Sequence, residues 1–330
     1  MTVVVATYEL SLGSGIATKS KSAAPQTYCS AWEGFDVKVV LMPSAGASSR
    51  DKNERIATWA CQHLRVVIAK EQSEKPPPEF ESANGRRDYT AAALYVRKLE
   101  PAYQEVARAA VERLLLYVKY TLRQPRIELG HDFVEGLEEA EWADGDGNVI
   151  SRGGRTVVFK LGYGSLAFGS QRLEAKHRRA LAAALARPRT PLLHEEILSD
   201  AQAAASDGNF RRAVLEAAVA CEIFAKQTFF GVDGPASQVM QALEDRGKLN
   251  ARVLDLIDWG GEAVAGHSFK RSDPAAHKDI DHLFRARNKV AHRGEAIFKD
   301  DKGHVKVVDR KLLEAWWKSV EKLFAWGRKL

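Results

Sequence analysis

The sequence predicts an α+β domain over 1–190, followed by an all-helical domain over 191–330. In the first part, apolar and polar residues alternate in short runs, which is typical of strands. In the second part, apolar residues recur at helical spacing. Between them, Arg187-Pro188-Arg189-Thr190-Pro191 places two prolines in five residues, and proline ends a helix. A chain of 330 residues is long enough for two domains of ordinary size.

The first part is expected to begin with strands at 3–5 and 35–41, because the first run is apolar and the second alternates apolar and polar residues before it becomes nearly continuous. Residues 51–72 are expected to form a helix, since several of their apolar residues lie about 3.6 positions apart. A long helix should follow over 89–122, kinked or split at Pro101. Two strands are expected over 126–129 and 156–161, and a strand–turn–strand segment over 141–150. A third helix is expected over 173–186.

One segment of the first part has the beginning of a calcium-binding loop. Asp144, Asp146 and Asn148 fit the first three ligand positions of an EF-hand. The position that needs glycine is Val149, and the position that needs a bidentate glutamate is Arg155. A cation site would not place arginine at its main ligand, so the segment is predicted to be a β-turn.

The spacing of the cysteines and the hydropathy of the chain limit the classes of protein to which it can belong. Cys29, Cys61 and Cys221 are far apart and form no Cys-x-x-Cys pair, which argues against a zinc site and fits a reducing cytosol. No run approaches 18 apolar residues, and the N-terminus lacks a basic signal-peptide start. We therefore expect a cytoplasmic protein that neither enters a membrane nor uses a metal or cofactor.

The second part is predicted to be a set of helices. They are expected over 194–205, 210–230, 278–292 and 309–330, with one or two more within 237–259. The segment 278–292, here called the motif helix, has an apolar stripe that includes Leu283 and Val290. The tryptophans of the last helix are interpreted as packing residues: Trp316, Trp317 and Trp326.

The motif helix contains Arg287-Asn288-Lys289-Val290-Ala291-His292, followed by Arg293 and Gly294. Gly294 can adopt the left-handed conformation that ends a helix. Arg287 and His292 are five residues apart, which is roughly 140° around an ideal helix. They can converge only if the last turn before Gly294 loosens, or if they line two walls of one groove.

This Arg-x4-His motif with a following Arg-Gly resembles that of HEPN domains, a helical family named for higher eukaryotes and prokaryotes nucleotide-binding. A second similarity is Glu222-x3-Lys226, which resembles a polar pair on an earlier helix of many catalytic members. The segment before it, in which Asn209 or Asp207 would cap the helix, also looks like the family's early helix. The resemblance covers about 192–326, and the first 190 residues resemble no family.

The resemblance implies a metal-independent endoribonuclease that acts on RNA in defence or as a toxin-like protein. It implies catalytic roles for Arg287, His292 and Asn288, and a homodimer in which two helical domains face one cleft. The expected residues for RNA or phosphate contact are Lys289, Arg293, Lys226 and Glu222. The N-terminal domain would then sense a trigger or restrain the dimer.

The residue chemistry agrees with RNA cleavage. Histidine titrates near neutral pH and can transfer protons, while arginine presents a planar fork of donors to phosphate. Four cations within nine residues, Arg285, Arg287, Lys289 and Arg293, would attract a phosphate backbone.

Other interpretations remain open at this point. Glu222 and Lys226 at i,i+4 could be an ordinary helix ion pair. The domain could be a non-catalytic HEPN module that binds a nucleotide, RNA or a protein partner. It could also be an accessory chain of a separate nucleotidyltransferase.

Overall fold

The computed structural model describes residues 1–20, 25–42, 48–49, 57–77, 80–81, 87–88, 90–129, 134–136, 139–152, 170–231, 238, 242–243, 245–246 and 252–330. The chain forms two compact units, which change over between Thr190 and Pro191. Ser170 groups with the second unit. None of the described helices is long and apolar enough to cross a membrane.

Antiparallel strands build most of the first unit. In chain order they are β1 (Thr2–Ser20), β2 (Gln26–Trp32), β3 (Phe35–Met42), β4 (Ser48–Ser49), β5 (Ala57–Gln72), β6 (Phe80–Glu81), β7 (Arg87–Asp88), β8 (Val134–Glu135), β9 (Ala140–Asp144) and β10 (Val149–Ser151). Eight of them form one sheet in the order β10-β9-β1-β5-β3-β2, with β4 on β5 and β8 on β1. β6 pairs with β7 separately. The strands expected at 3–5 and 35–41 are confirmed within β1 and β3.

A long helix packs on the buried face of this sheet. Alternate residues of β1, among them Val4 and Tyr8, are buried, as the two-residue period of a strand requires. The helix α1 (Thr90–Leu116) continues through a wider π-helical turn at Tyr117–Thr121. Its Tyr103 ring meets Phe35 edge-on, and its hydroxyl donates a hydrogen bond to the Val4 carbonyl. The long helix predicted over 89–122 is therefore confirmed, and it runs through Pro101 without a break.

The helix predicted over 51–72 is wrong where the structure describes this segment. Residues 57–72 form β5, the strand that pairs with both β1 and β3. Leu64, Val66 and Ile68 are fully buried, at a spacing of two. Their β-branched neighbours favour a strand, and pairing on both edges overrides the weaker helical spacing.

Three further expectations of the first unit have different outcomes. The strand–turn–strand segment is confirmed as β9, a turn and β10, and the Asp144 carboxylate accepts the backbone N–H groups of Asp146 and Asn148. Hydrogen bonds from Asn148 lower the pKa of Asp144, so this carboxylate organises a turn. The strand over 126–129 is wrong, because these residues form a turn and irregular chain. The strand over 156–161 lies outside the described residues.

The helix predicted over 173–186 begins later than expected. A 3₁₀ turn at Ala175–His177 leads into α2 (Arg178–Ala186). Leu181 and Leu185, one turn apart, are its buried residues. The predicted end at Ala186 is confirmed, directly before the proline-containing boundary.

Helices dominate the second unit. In chain order they are α3 (Leu193–Ser206), α4 (Phe210–Phe230), α5 (Val253–Asp255), a π-helical turn (Leu256–Gly260), α6 (Gly261–Ala265), α7 (Phe269–Ser272), the motif helix α8 (Pro274–Arg293) and α9 (Arg310–Gly327). The four long helices confirm those predicted, within a few residues at each end. Much of the segment 237–259 lies outside the described residues, and its described end supplies α5 and the π-helical turn.

The core of this unit lies among α3, α4, the motif helix and α9. Trp316, Trp317 and Trp326 are buried there, which confirms that they pack. Cys221 is also fully buried, and burial raises the pKa of its thiol far above the ordinary range. The Asn209 side chain accepts a hydrogen bond from the Arg212 N–H and caps α4. Asn209 is one of the two residues that the sequence predicts for this cap.

A β-hairpin was not expected in this helical part of the chain. β11 (Ile297–Lys299) pairs antiparallel with β12 (Val305–Val307). Phe298 is buried against Trp316 and His282, so the hairpin lies on the motif helix. The turn of the hairpin contains two aspartates, Asp300 and Asp301.

Candidate functional site

Strong signals define both ends of the motif helix. The Asp273 side chain accepts the Ala276 N–H at 2.9 Å and caps the first turn, with Pro274 at the first helical position. Lys322 of α9 lies 2.8 Å from the same carboxylate and lowers its pKa. At the other end, Gly294 is left-handed, with a φ of 68°, and its N–H bonds to Val290 at 2.8 Å.

One face of the motif helix is fixed in the core. Ile280, Leu283, Ala286 and Val290 are buried at spacings of three and four residues. This face packs against α4 and α9. The basic residues of the helix therefore point away from the core or lie along its edges, at positions set by this packing.

The hairpin turn engages the part of the motif helix from 274 to 285, here called its N-terminal half. Lys278 Nζ lies 2.6 Å from Asp301 Oδ2, and His282 Nε2 lies 3.2 Å from Asp301 Oδ1. Arg285 approaches the same carboxylate at 3.4 Å, donates to the Lys299 carbonyl, and pairs with Asp281 one turn earlier. Each cation of this half thus has an acidic partner.

The electrostatics of Asp301 reflect that arrangement. Hydrogen bonding from Lys278, and then from His282, lowers the pKa of Asp301 to about 2. The carboxylate is accordingly charged across the whole physiological range. It neutralises part of the charge that the motif helix carries in the sequence.

The remaining part of the motif helix, 286–293, is here called its C-terminal half, and its charges are not paired in this way. Arg287, Lys289, His292 and Arg293 have no acidic group within ion-pair distance among the described residues. Arg287 Nη1 donates to Asn288 Oδ1 at 3.2 Å, so these two neighbours are already oriented by each other. Asn288, His292 and Arg293 are exposed, and Arg287 and Lys289 are half-buried. This end of the helix offers an arginine fork, further cations and an imidazole to an external anion.

The regular geometry of this end corrects one expectation. The last turn does not loosen, because the α-helix continues to Arg293 and Gly294 closes it with a normal bond to Val290. Arg287 and His292 therefore lie about 140° apart around the helix axis. Within one chain they occupy two sides of the helix end rather than one face.

The earlier polar pair forms an ordinary ion pair. Lys226 Nζ lies 3.4 Å from Glu222 Oε1, and both side chains are more than a third exposed. Arg212 on the same helix pairs with Glu216 at 2.7 Å, while Arg211 is exposed. A surface pair of this kind stabilises a helix by only a few tenths of a kcal/mol, roughly 0.3–0.5.

Asp301 was missed by the sequence interpretation. Its signal was Asp300-Asp301-Lys302-Gly303, a turn-forming run between two short segments rich in β-branched residues. Pairing of this turn with a helix some twenty residues earlier depends on the tertiary fold, and the local pattern does not contain it.

Comparison of the chain with protein-family models, with curated proteins and with solved structures returns no match. Within the described part of the chain, no cluster of three or more His, Cys, Asp or Glu side chains is arranged to hold a metal ion.

Proposed function

We propose that the protein is an endoribonuclease of HEPN type, with its reactive groups at the C-terminal end of the motif helix. The observation that carries the proposal is the contrast within this helix. Arg287, Lys289 and Arg293 keep their charge available at the same helix end as an exposed His292, whereas the cations of the other half are paired with acids. Available cations next to an imidazole suit phosphodiester chemistry.

The proposed reaction needs one proton acceptor, one proton donor and one cation. The acceptor takes the proton of the RNA 2′-hydroxyl, and the 2′-oxygen forms a bond to phosphorus. The bond from phosphorus to the 5′-oxygen breaks, and the donor protonates that leaving oxygen. The products are a 2′,3′-cyclic phosphate and a 5′-hydroxyl. Imidazole groups perform both proton transfers, and the Arg287 fork balances charge on the transferred phosphoryl group.

Two copies of the chain would complete this site. One chain supplies a single His292, and the regular helix holds Arg287 to one side of it. A two-fold pair of motif helices would bring two His292 and two Arg287 side chains to one cleft. Asn288, hydrogen-bonded to Arg287, would hold the guanidinium in place, and Lys289 and Arg293 would contact neighbouring phosphates.

The helix geometry also favours a second candidate, a non-catalytic module. Arg287 and His292 do not converge within one chain, and the same cations could bind a nucleotide or RNA without cutting it. Under this alternative the phosphate contacts remain important, whereas the imidazole does not.

A cleavage assay on the full chain distinguishes the two candidates. The protein is incubated with mixed RNA in excess EDTA beside His292→Ala, Arg287→Ala and the exposed control Lys318→Ala. We expect the wild type and the control to produce 2′,3′-cyclic phosphate ends, and the two motif variants to be slower by about 100- to 10,000-fold. If neither the wild type nor any variant cleaves RNA, but RNA binding depends on Arg287, the binding module is the correct interpretation.

A further inference from the structure

A strongly basic surface lies on the first unit, around the helix α2. The segment 172–189, which contains this helix, has six lysines and arginines and a single acidic residue, Glu174. Its formal net charge is therefore +5, close to the +6 of the whole chain. Five of the six cations are exposed and are here called the α2 surface: Lys176, Arg178, Arg179, Arg187 and Arg189.

Three arginines of the α2 surface have no acidic partner. Arg178, Arg179 and Arg187 lie outside ion-pair distance of every carboxylate in the described chain. By contrast, the exposed Arg212 of the second unit lies 2.7 Å from Glu216. The three guanidinium groups are therefore available to an external anion.

The first turn of α2 carries its charge at an unfavourable position. Arg178 and Arg179 lie in this turn, which contains no acidic residue. The N-terminal end of a helix carries a partial positive charge and disfavours nearby cations. The charges of the two arginines therefore do not stabilise the helix, and a bound anion would relieve their repulsion.

Contacts within the first unit hold α2 in place beneath these side chains. Leu181 and Leu185 are fully buried in the core of the unit. The Ser30 hydroxyl donates to the Ala182 carbonyl at 3.0 Å, and the Arg113 guanidinium donates to the Leu185 carbonyl at 2.6 Å. The arginines thus extend from a packed helix, so little backbone has to become ordered when a ligand binds.

The composition of the surface limits the class of ligand. All three leucines of the segment 172–189 are buried, so it has no exposed apolar face to insert into a membrane. Only alanines, Ala180 and Ala183, are exposed between Arg179 and Arg187. The segment contains no Phe, Tyr or Trp on which a base could stack. These features favour a ligand that is recognised through its phosphate groups alone.

From these observations we infer that the α2 surface binds the phosphate backbone of RNA without reading its bases. A guanidinium fork fits two phosphate oxygens. Arg178 and Arg187 are nine positions apart, or about 13 Å along a helix, so they can contact phosphates of different nucleotides. The choice of RNA rests on the proposed function, whereas the preference for phosphates rests on the surface itself. RNA would then contact the first unit as well as the motif helix of the second.

Salt-dependent binding to the full chain tests this surface. The probe is a fluorescent 2′-O-methyl oligouridine, which has no 2′-hydroxyl and therefore survives the proposed cleavage reaction. Replacing Arg178, Arg179 and Arg187 together by alanine should reduce the slope of log affinity against log salt by about 2, since each phosphate contact on a single strand contributes about 0.7. The affinity at low salt should fall by roughly 10- to 100-fold. Replacing the same three residues by lysine keeps the charge and should preserve the slope.

A triple variant of paired arginines is the matched control. Arg65, Arg212 and Arg310 each lie within ion-pair distance of a glutamate. Their replacement by alanine removes the same three charges from the chain but should leave the slope close to that of the wild type. An oligocytidine probe should bind as the oligouridine does, and a strong preference for either base would contradict recognition of the backbone.

The two proposals fail in different ways. If natural RNA is not cleaved but the alanine variant of the α2 surface has the reduced slope, the cleavage proposal fails and the surface stands. The inference is overturned if that variant loses no more slope than the control, whether or not RNA is cleaved. It is also overturned if DNA of the same length binds more tightly than RNA, or if vesicles containing phosphatidylserine bind through these arginines and RNA does not.

Discussion

The two halves of the motif helix carry similar basic side chains in different surroundings. In the N-terminal half, Lys278, His282 and Arg285 converge on Asp301 of the hairpin turn. In the C-terminal half, Arg287 and its basic neighbours have no acidic partner among the described residues. The C-terminal end of a helix carries a partial negative charge of about half a unit. This charge favours nearby cations but does not neutralise them.

The difference distinguishes cations that stabilise the fold, in the N-terminal half, from cations that are available to a ligand, in the C-terminal half. The four cations within nine residues form a uniform basic cluster in the sequence, yet Arg285 belongs to the hairpin contact. The hairpin stabilises one half of the helix and leaves the other half open. The predictions below test whether the two halves differ in this way.

The largest effect on stability is expected at the core face of the motif helix, which anchors both of its halves. Leu283 is fully buried in the core face of the motif helix, so Leu283→Ala should lower the free energy of unfolding by about 2–5 kcal/mol. Lys289→Ala, a partly exposed position on the same helix, should change it by less than about 0.5 kcal/mol. Denaturant unfolding measures both, and equal losses would mean that the core face has been assigned incorrectly.

The N-terminal half should show a pH-dependent stability that originates in Asp301. Its pKa is lowered from 3.8 to about 2, so its contribution is fully present above about pH 4 and is lost as the pH falls toward 2. Asp301→Asn should therefore unfold more easily than the wild type at neutral pH, and the two curves should converge by about pH 2. Unfolding free energies measured across this range provide the test.

Glu295→Gln is the matched control, because Glu295 is exposed close to the same hairpin. Its stability should follow the wild type at every pH. If the unfolding free energies of Asp301→Asn and the wild type differ by a constant amount down to pH 2, the ion-pair explanation is incorrect.

A smaller effect should distinguish the two halves in RNA binding. Lys289→Ala and Arg293→Ala should each reduce the slope of log affinity against log salt by about 0.7, the value for one lost phosphate contact on a single strand. Lys278→Ala should leave the slope unchanged, since its ammonium group is held by Asp301. A reduction of the same size in Lys278→Ala would show that the hairpin does not neutralise its half.

Much of the helical unit was predictable because its signals are local. Asn209, Asp273 and Gly294 mark helix ends by their own chemistry, and the long helices followed from apolar spacing. The motif residues were located on the correct helix for the same reason. Their separation around a regular helix is also predictable from the spacing. A loosened last turn was one of two ways in which they could converge, and Gly294 instead closes the helix with a regular bond to Val290.

The features that were missed depend on distant partners. Residues 57–72 form a strand because β1 and β3 pair on either side of it, and these contacts span up to some seventy positions. Asp301 acts on a helix that precedes it in the chain. A local sequence pattern does not contain the information for such long-range contacts.

The central claim, that two copies complete the site at the C-terminal end of the motif helix, is tested most directly by subunit dilution. Wild-type chains are unfolded, mixed with an equal amount of His292→Ala and refolded together, and RNA cleavage is measured at constant total protein. If each site needs His292 from both copies, only about one quarter of the pairs are intact, and the rate falls to about one quarter of the wild-type rate. A rate of about one half would show that each chain works alone and would contradict the shared site.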